Sequence, residues 1–288
     1  MNILPQVLIN GILIGSVYSL IAMGLNIIFG VMKVVNFCQG ELLMIGMYSS
    51  YFLVTVFGMD PYLTIVIIVI LMFIIGGLIQ YGLITPILGK SNSDYSQIFL
   101  TVGLGLLFQN IALLLFSANY RTIKLDYSQT SFNLFGQIIS YPKFISFIVL
   151  LAVSFLLYFF LSKTDLGKKI RATSQNPLGA RLVGINDKKI YIVTYGIGAT
   201  LAGIAGALLL PFYYVFPLIG EVFGLRAFVV VVLGGLGSIK GAFLGGIILG
   251  LLETTGAIIV GPGLKDSIVF ISFILILILR EIYQSREG

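Results

Sequence analysis

The 288-residue sequence contains no His, no Trp and a single cysteine, Cys38. Without His it cannot build an imidazole base, a proton shuttle or a His-ligated metal site. One Cys excludes an internal disulfide framework and a Cys-cluster metal site. Charge is also scarce, because 10% of the residues are Asp, Glu, Lys or Arg, against about 25% in soluble domains. These absences argue against a disordered chain, a nucleic-acid binder with a basic face, and almost any soluble enzyme.

Apolar residues are abundant instead and form long uncharged runs. Hydrophobic residues make up 58% of the chain, and the mean hydropathy is +1.09. A run of about 18 or more residues is long enough to cross the hydrocarbon core of a bilayer as a helix. Such runs predict six spans, near 6–29, 41–58, 62–88, 96–118, 144–162 and 190–211. The more broken tail predicts a short Gly-interrupted span near 223–238, a span near 241–260 and a last span near 266–281. The predicted fold is all-α, a single polytopic transmembrane helical bundle over 1–288 with eight to nine spans and broken or re-entrant segments.

The connection 163–189 sets the predicted orientation. It holds seven basic residues against Asp165 and Asp187. The seven are Lys163, Lys168, Lys169, Arg171, Arg181, Lys188 and Lys189. Because Lys and Arg accumulate in cytoplasmic loops, this loop is predicted inside and the N-terminus outside. A full crossing by 223–238 then puts the tail, with Arg280 and Arg286, in the cytoplasm, whereas re-entry would put it outside. We favour the crossing because these two arginines look like an inside anchor.

The same loop carries helix-capping signals. Thr164 or Asp165 suits the N-cap of one short helix, and Asn176 followed by Pro177 is an N-cap and first-residue pair for a second. Gly184 suits the position that ends it. Two amphipathic helices are therefore predicted at the inner membrane face. They could lie on anionic lipid headgroups, but this order of caps favours a surface that docks another protein.

Several polar residues fall inside predicted spans. Glu253 lies mid-span, where an ionisable group is expected to face the bundle interior or a water-filled cavity. Glu41 opens the second span just after Asn36 and Gln39. Gln109 and Asn110 lie mid-span in the fourth. For Glu41, Gln109 and Asn110 an interhelical hydrogen bond or a position at the end of a span is the favoured interpretation.

Glycines mark two further features. Small residues recur four apart, as in Gly11/Gly15 and Gly246/Gly250, which favours close helix packing over a flexible gate. The run 234–238, which contains Gly234, Gly235 and Gly237, should unwind a helix. Such a break lies either beside a transport pathway, since broken helices are tolerated against protein or water, or in an interfacial turn. The spacing leaves both open.

No catalytic site is predicted. The run Gly89-Lys90-Ser91 resembles part of a phosphate-binding loop, but that loop needs a Gly where Ile84 stands. Without His, no Ser has an imidazole partner, and the carboxylates show no catalytic pairing. The chain is therefore predicted to bind no cofactor and no metal.

Three stretches carry a family resemblance. They are 20–46, with the run Asn36-Phe-x-x-Gly40-Glu41, then the loop 167–185, and the glycine-rich segment 227–246. Together they resemble the permease subunits of bacterial branched-chain amino acid ABC importers of the LivH and LivM type, with LivH the more similar. One departure is the pair Cys38-Gln39, where the family commonly shows Ala-His.

The resemblance implies an assembly in the bacterial inner membrane. A second permease subunit, LivM-like or a second copy, would complete the pathway. Two cytoplasmic ATPase subunits would use ATP, and an extracytoplasmic binding protein would deliver the amino acid. No nucleic acid takes part. The ATPase-coupling residues it implies in the loop are Gly167, Arg171, Asn176, Pro177, Ala180, Arg181 and Gly184. The segments expected to reorient during alternating access contain Asn36, Gln39, Glu41, Gly234, Gly235 and Gly237, and Glu253 is a further pathway candidate.

Two other functions remain as alternatives. Permeases for urea or short-chain amides look very similar to this family. From a different class, the chain could be a stand-alone secondary transporter that uses Glu253 as a proton or ion site.

Overall fold

The computed structural model describes residues 3–88, 93–125, 127, 130–134, 136–264, 267–275 and 278. The long helices are α1 (Ile3–Met32), α2 (Gln39–Phe57), α3 (Pro61–Ile79), α4 (Ser93–Phe116), α5 (Tyr141–Lys163), α8 (Asp187–Leu209), α9 (Ile219–Gly234) and α10 (Ile239–Val260). A π-helical turn, Gln80–Ile84, continues α3. Two short helices, α6 (Asp165–Gln175) and α7 (Pro177–Leu182), lie between α5 and α8, and a 3-10 turn, Pro262–Leu264, follows α10.

Seven helices in this described part are long and apolar enough to cross a membrane. They are α1, α2, α3 with its π-helical turn, α4, α5, α8 and α10. Helices that are long and apolar enough to cross a membrane therefore cover the six predicted spans before residue 212 and the span near 241–260. The total of eight to nine is not reached among them, because α9 has 16 residues and the last predicted span, 266–281, is described only at 267–275 and 278. Arg280 and Arg286 fall outside the described residues, as does the run 89–91.

The structure contains one element that was not predicted from the sequence, for which an all-α chain was expected. The connection between α4 and α5 forms an antiparallel hairpin of β1 (Ser131–Leu134) and β2 (Gln137–Ser140). The Gln6 side chain holds it to α1, since Nε2 donates to the Ile138 carbonyl at 2.6 Å and Oε1 accepts from the Ile138 amide at 2.9 Å. Strands of four residues are too short for their alternation of polar and apolar residues to predict them from the sequence.

The same end of the bundle is fixed by Asp60. Its carboxylate caps α3 by accepting the Tyr62 amide at 2.9 Å, and it also accepts the Tyr127 hydroxyl. Burial, followed by the hydrogen bond and the charge of Asp60, raises the pKa of Tyr127. Tyr127 therefore stays neutral and keeps donating to the capping carboxylate at physiological pH.

The core is built on α1, which packs against α8, α9 and α10. Its contact with α10 is a glycine seam. A methyl group on Gly15 would lie 2.6 Å from the Gly246 carbonyl oxygen, and one on Gly250 would lie 2.3 Å from the Gly11 carbonyl oxygen. Distances this short require glycine on both helices, so the predicted small-residue packing is confirmed.

Candidate functional site

The helix α2 begins in the centre of the bundle. After α1 ends at Met32, residues 33–38 turn back along it, so that Gln39 Nε2 donates to the Ile21 carbonyl at 3.4 Å and the Gly198 carbonyl at 3.1 Å. Ile21 lies 11 residues before Met32, about 16 Å at the helical rise, and Gly198 is near the middle of α8. The connection 33–38 is therefore re-entrant. We call the end of the bundle at the loop 163–189 the basic end.

The helix α9 begins at the same depth from the other side. After α8 ends at Leu209, residues 210–218 turn back into the bundle from the end opposite the basic end. Two backbone hydrogen bonds of 2.9 Å between Val215 and Arg121 hold this segment. The first turn of α9 then meets the first turn of α2, where a methyl group on Gly40 would lie 2.0 Å from the Gly220 carbonyl oxygen. From this crossing α2 runs to the opposite end and α9 runs to the basic end.

The two helix starts are built alike. The residue before α2, Cys38, has φ −81° and ψ 5°, and the residue before α9, Leu218, has φ −90° and ψ 4°. In each helix the second residue is Gly and the third is Glu, giving Glu41 and Glu221. Glu221 was not among the site residues predicted from the sequence. The recurring Gly-Glu pair is the signal that could have found it.

Asn36 and Gln39 hold the re-entrant segment in place. Asn36 is buried, its Nδ2 donates to Gln39 Oε1 at 3.2 Å, and its Oδ1 accepts the Cys38 amide at 3.1 Å. Both amides therefore bind the chain itself. Their place in a translocation pathway stays a prediction.

Glu41, Gln109 and Glu221 form a polar cluster where α2, α4 and α9 meet. Gln109 Nε2 donates to Glu221 Oε1 at 2.8 Å, which confirms the interhelical hydrogen bond expected of Gln109. Glu41 is buried and lies against α4, since a methyl group on Gly105 would be 3.4 Å from Glu41 Oε2. Of the pathway candidates predicted from sequence, Glu41 is the one that reaches this cluster.

The glycine run ends α9 and makes a turn at the basic end. Gly235 and Gly237 have φ of +92° and +83°, a region that favours glycine. The turn is organised by Asn26 of α1: its Nδ2 donates to the carbonyls of Gly235 at 3.2 Å and Ser238 at 2.9 Å, and its Oδ1 accepts the Gly237 amide at 2.8 Å. The predicted break is confirmed as a turn between α9 and α10, and Asn26 is the determinant that sequence reasoning missed.

Asn26→Ala is expected to destabilise the protein by about 2–3 kcal/mol, because a buried amide with three partners is lost and the turn keeps unpaired backbone groups. Asn110→Ala is the matched control, since its amide is exposed and donates to the Leu106 carbonyl of its own helix. Unfolding in SDS, followed by circular dichroism, measures both. Equal stabilities of the two variants would contradict the role of Asn26.

Glu253 of α10 is buried in an ion pair. Its Oε1 lies 3.0 Å from Arg226 Nη2 of α9, and its Oε2 accepts from Tyr18 at 2.6 Å and from Arg226 Nε at 3.3 Å. The three side chains, with Lys143, line a cavity of about 310 Å³. The predicted interior position of Glu253 is confirmed, and Arg226 is a partner that was not foreseen.

The basic loop folds as its capping signals predict. Thr164 Oγ1 accepts the Gly167 amide at 3.0 Å at the start of α6, and Asn176 Oδ1 accepts the Gly179 amide at 2.9 Å at the start of α7, where Pro177 is the first residue. Gly184 follows α7 with φ +82°. Both predicted helices are confirmed.

The implied coupling residues divide into buried and exposed sets. A methyl group on Gly167 would lie 2.3 Å from the Phe160 carbonyl oxygen, and Ala180 is buried, so both pack the loop against the bundle. Arg171 Nη2 donates to the Ser162 carbonyl at 3.3 Å, and Arg181 Nε donates to Asp187 at 2.9 Å. Apolar side chains cover the free side of α7. They are Leu178, Leu182 and Val183, which are 70%, 89% and 77% exposed.

The family model and the relatives that match most of the chain point to one family. Residues 7–279 match the model of the permease component of branched-chain amino acid transport systems. The chain is 32% identical to the high-affinity branched-chain amino acid permease protein BraD of Pseudomonas aeruginosa over 96% of its own length and 93% of BraD. It is 31% identical to the corresponding protein LivH of Escherichia coli K12, covering 95% and 92%. A solved structure, PsaBC from Streptococcus pneumoniae in complex with Fab, matches with a TM-score of 0.48 and 20% identity, covering 96% of this chain and 91% of that one.

Proposed function

The chain belongs to the family of permease components of branched-chain amino acid transport systems, and we propose that it is the membrane-spanning subunit of an ABC importer that carries branched-chain amino acids into the cytoplasm. The observation that carries the proposal is the match over almost the whole chain to permeases whose names state that substrate class. The same names favour amino acids over urea or short amides. The ion pair between Glu253 and Arg226 argues against Glu253 as the ion site of a secondary transporter.

Alternating access fits the two re-entrant segments. The helices α2 and α9 start together at Gly40 and Gly220 in the bundle centre and run to opposite ends. A rocking motion at this crossing would expose the centre to one side of the membrane while closing it to the other. Residues 210–218 and α9 together pass from one end to the other, which supplies an eighth crossing, and the helix at 267–275 is the start of a ninth.

This path supports the predicted topology. With the basic loop in the cytoplasm, the N-terminus of α1 lies outside, and a ninth crossing returns the tail to the cytoplasm. We expect a second permease subunit, two ATPases on the basic loop and an extracytoplasmic binding protein. The chain itself binds no cofactor and is not an enzyme, since ATP is used by the partner subunits.

The structure of the basic loop suits docking to an ATPase. Three large apolar side chains, Leu178 and Leu182 on α7 and Val183 at its end, are exposed, beside arginines that are restrained by hydrogen bonds. Behind them, Arg171 of α6 lines a cavity of about 450 Å³ together with Asn26 and Gly237. A movement of the loop would therefore reach the turn between α9 and α10 directly.

Leu182→Ser is expected to lower ATP-dependent uptake about tenfold or more and to weaken ATPase binding, because an exposed apolar anchor is removed. The fold should persist, since the side chain is 89% exposed. Leu4→Ser, also exposed but at the start of α1, is the control. Uptake and ATPase co-purification are measured for both, and wild-type values for Leu182→Ser would contradict docking through α7.

The proposed function is tested by reconstituting the chain with its second permease, ATPase and binding-protein subunits in liposomes. Labelled leucine should accumulate when ATP is present inside and the binding protein outside, and labelled urea should not. Urea uptake in place of leucine would favour the amide alternative. Leucine uptake by this chain alone, driven by an ion gradient, would overturn the importer assignment.

A further inference from the structure

The Glu221 carboxylate lies on a face of the bundle that lipid cannot cover. It stands in the first turn of α9, at the depth of the crossing with Gly40, and it is exposed. A carboxylate facing hydrocarbon at the bilayer centre costs about 2.5–3.5 kcal/mol or more. This face must therefore meet water or another protein. Glu221 lines a cavity of about 210 Å³ with the apolar residues Val222, Leu225 and Phe270 and with Arg226, whose charge is paired with Glu253.

Glu41 places a second carboxylate behind it. Glu41 is 8% exposed, and no side chain in the described part of the chain donates a hydrogen bond to it or forms a salt bridge with it. The two carboxylates are neighbours along one face of α4, since Glu41 lies against Gly105 and Glu221 binds Gln109, one turn further along the helix. The one amide donor at the cluster, Gln109 Nε2, is directed to Glu221.

The cluster therefore has more acceptors and more negative charge than its own side chains balance. A buried carboxylate needs hydrogen-bond donors and a positive charge nearby. An ammonium group supplies three N–H donors, enough to reach both carboxylates, and one positive charge, which balances one of their two negative charges. A neutral amide or urea offers donors but no charge. The apolar residues beside the carboxylates suit a branched aliphatic side chain.

We propose that Glu41 and Glu221 bind the ammonium group of the transported amino acid at the centre of the bundle. This inference rests on the proposed function, since it concerns the substrate named there. The carboxylates stand at equivalent positions of two helices that start together and run to opposite ends. A cation held between them would therefore be released toward either side as the helices move.

The first test measures leucine uptake by the reconstituted importer carrying Glu41→Gln or Glu221→Gln. Each isosteric change removes a charge, and uptake is expected to fall about tenfold to a hundredfold, the range of one charge-assisted hydrogen bond. Glu41→Asp keeps the charge and should retain more uptake than Glu41→Gln. Asn110→Ala, on the same side of α4 as the exposed Leu106, is the control and should match the wild type.

The second test separates binding from folding. Labelled leucine is bound to the complex of permease and ATPase subunits without the binding protein, and 3-methylbutylamine and 4-methylpentanoate are used as competitors. The amine, which keeps the ammonium group, should compete, and the acid, which lacks it, should not. If the glutamine variants do not fold, competition by the amine but not by the acid in the wild-type complex still tests the proposal.

Two results would overturn the inference: wild-type uptake in both glutamine variants, or competition by the acid but not by the amine. Lower thermal stability of Glu41→Gln with unchanged uptake and competition would instead show that the carboxylate serves the start of α2. A wild-type assembly that transports no leucine contradicts the proposed function itself, before any variant is compared.

Discussion

Arg226→Met should lower the free energy of unfolding by about 3–5 kcal/mol, because it leaves the Glu253 carboxylate buried without its counter-charge. Arg226 and Glu253 are 5% and 6% exposed, so both charges lie in the interior of the bundle. Among the described residues, the Tyr18 hydroxyl, at 2.6 Å, would remain as a hydrogen-bond donor to Glu253, and it carries no charge. The measurement is unfolding in SDS followed by circular dichroism, together with the yield of folded protein from membranes.

The double variant Arg226→Met with Glu253→Leu separates charge burial from packing. Removing both charges and keeping apolar volume should restore most of the lost stability, because a buried pair is often replaceable by apolar residues. Recovery of uptake as well would assign the pair to the fold alone. A double variant no more stable than Arg226→Met would contradict this account.

The ion pair also shows how far sequence reasoning reaches. Glu253 could be predicted to face the interior because an ionisable residue in an apolar run has few other places. Its partner could not be predicted. Arg226 lies on another helix, and the two approach each other because glycine permits it: a methyl group on Gly241 would lie 1.7 Å from the Gly234 carbonyl oxygen. Pairing thus depends on a packing distance that no local pattern encodes.

The depth at which a helix starts within the bundle could not be predicted from the sequence either. Capping residues act within one turn, so Thr164, Asn176 and Gly184 predicted α6 and α7 correctly. The connections 33–38 and 210–218 are also short and partly apolar. They are as consistent with surface loops as with re-entrant segments, since hydropathy reports composition and not depth. Only the bonds of Gln39 to the middle of α1 and α8 reveal that α2 starts inside the bundle.

The polar cluster follows from that hidden depth. Gln109 and Glu41 could be noticed as polar residues in apolar runs. Glu221, in contrast, lies in the more broken apolar tail, where a charged residue does not stand out. Its significance appears when α9 is placed against α2, because the Gln109 amide then meets Glu221. The repeated Gly-Glu pair was visible in the sequence, yet two residues recur too often by chance to carry a prediction alone.

Gly40→Ala should reduce folded yield and abolish uptake, because the added methyl group has no space at the crossing of α2 and α9. It would lie 2.0 Å from the Gly220 carbonyl oxygen and 2.9 Å from the Gly224 Cα. Both are backbone atoms of α9, so no side chain can turn away. The helices must separate, at an expected loss of about 3 kcal/mol, the upper end for overpacking. Folded yield, SDS unfolding and leucine uptake measure the effect.

Gly103→Ala is the matched control, since Gly103 is also helical and an added methyl group there meets no atom within 4 Å. Alanine favours a helix over glycine by about 1 kcal/mol, so this variant should be as stable as the wild type or more so. A loss of stability in Gly40→Ala together with unchanged or higher stability in Gly103→Ala would show that the Gly40 effect comes from contact with α9. Similar behaviour of both variants would mean that α2 and α9 do not cross at Gly40, and the site built on Glu41 and Glu221 would lose its basis.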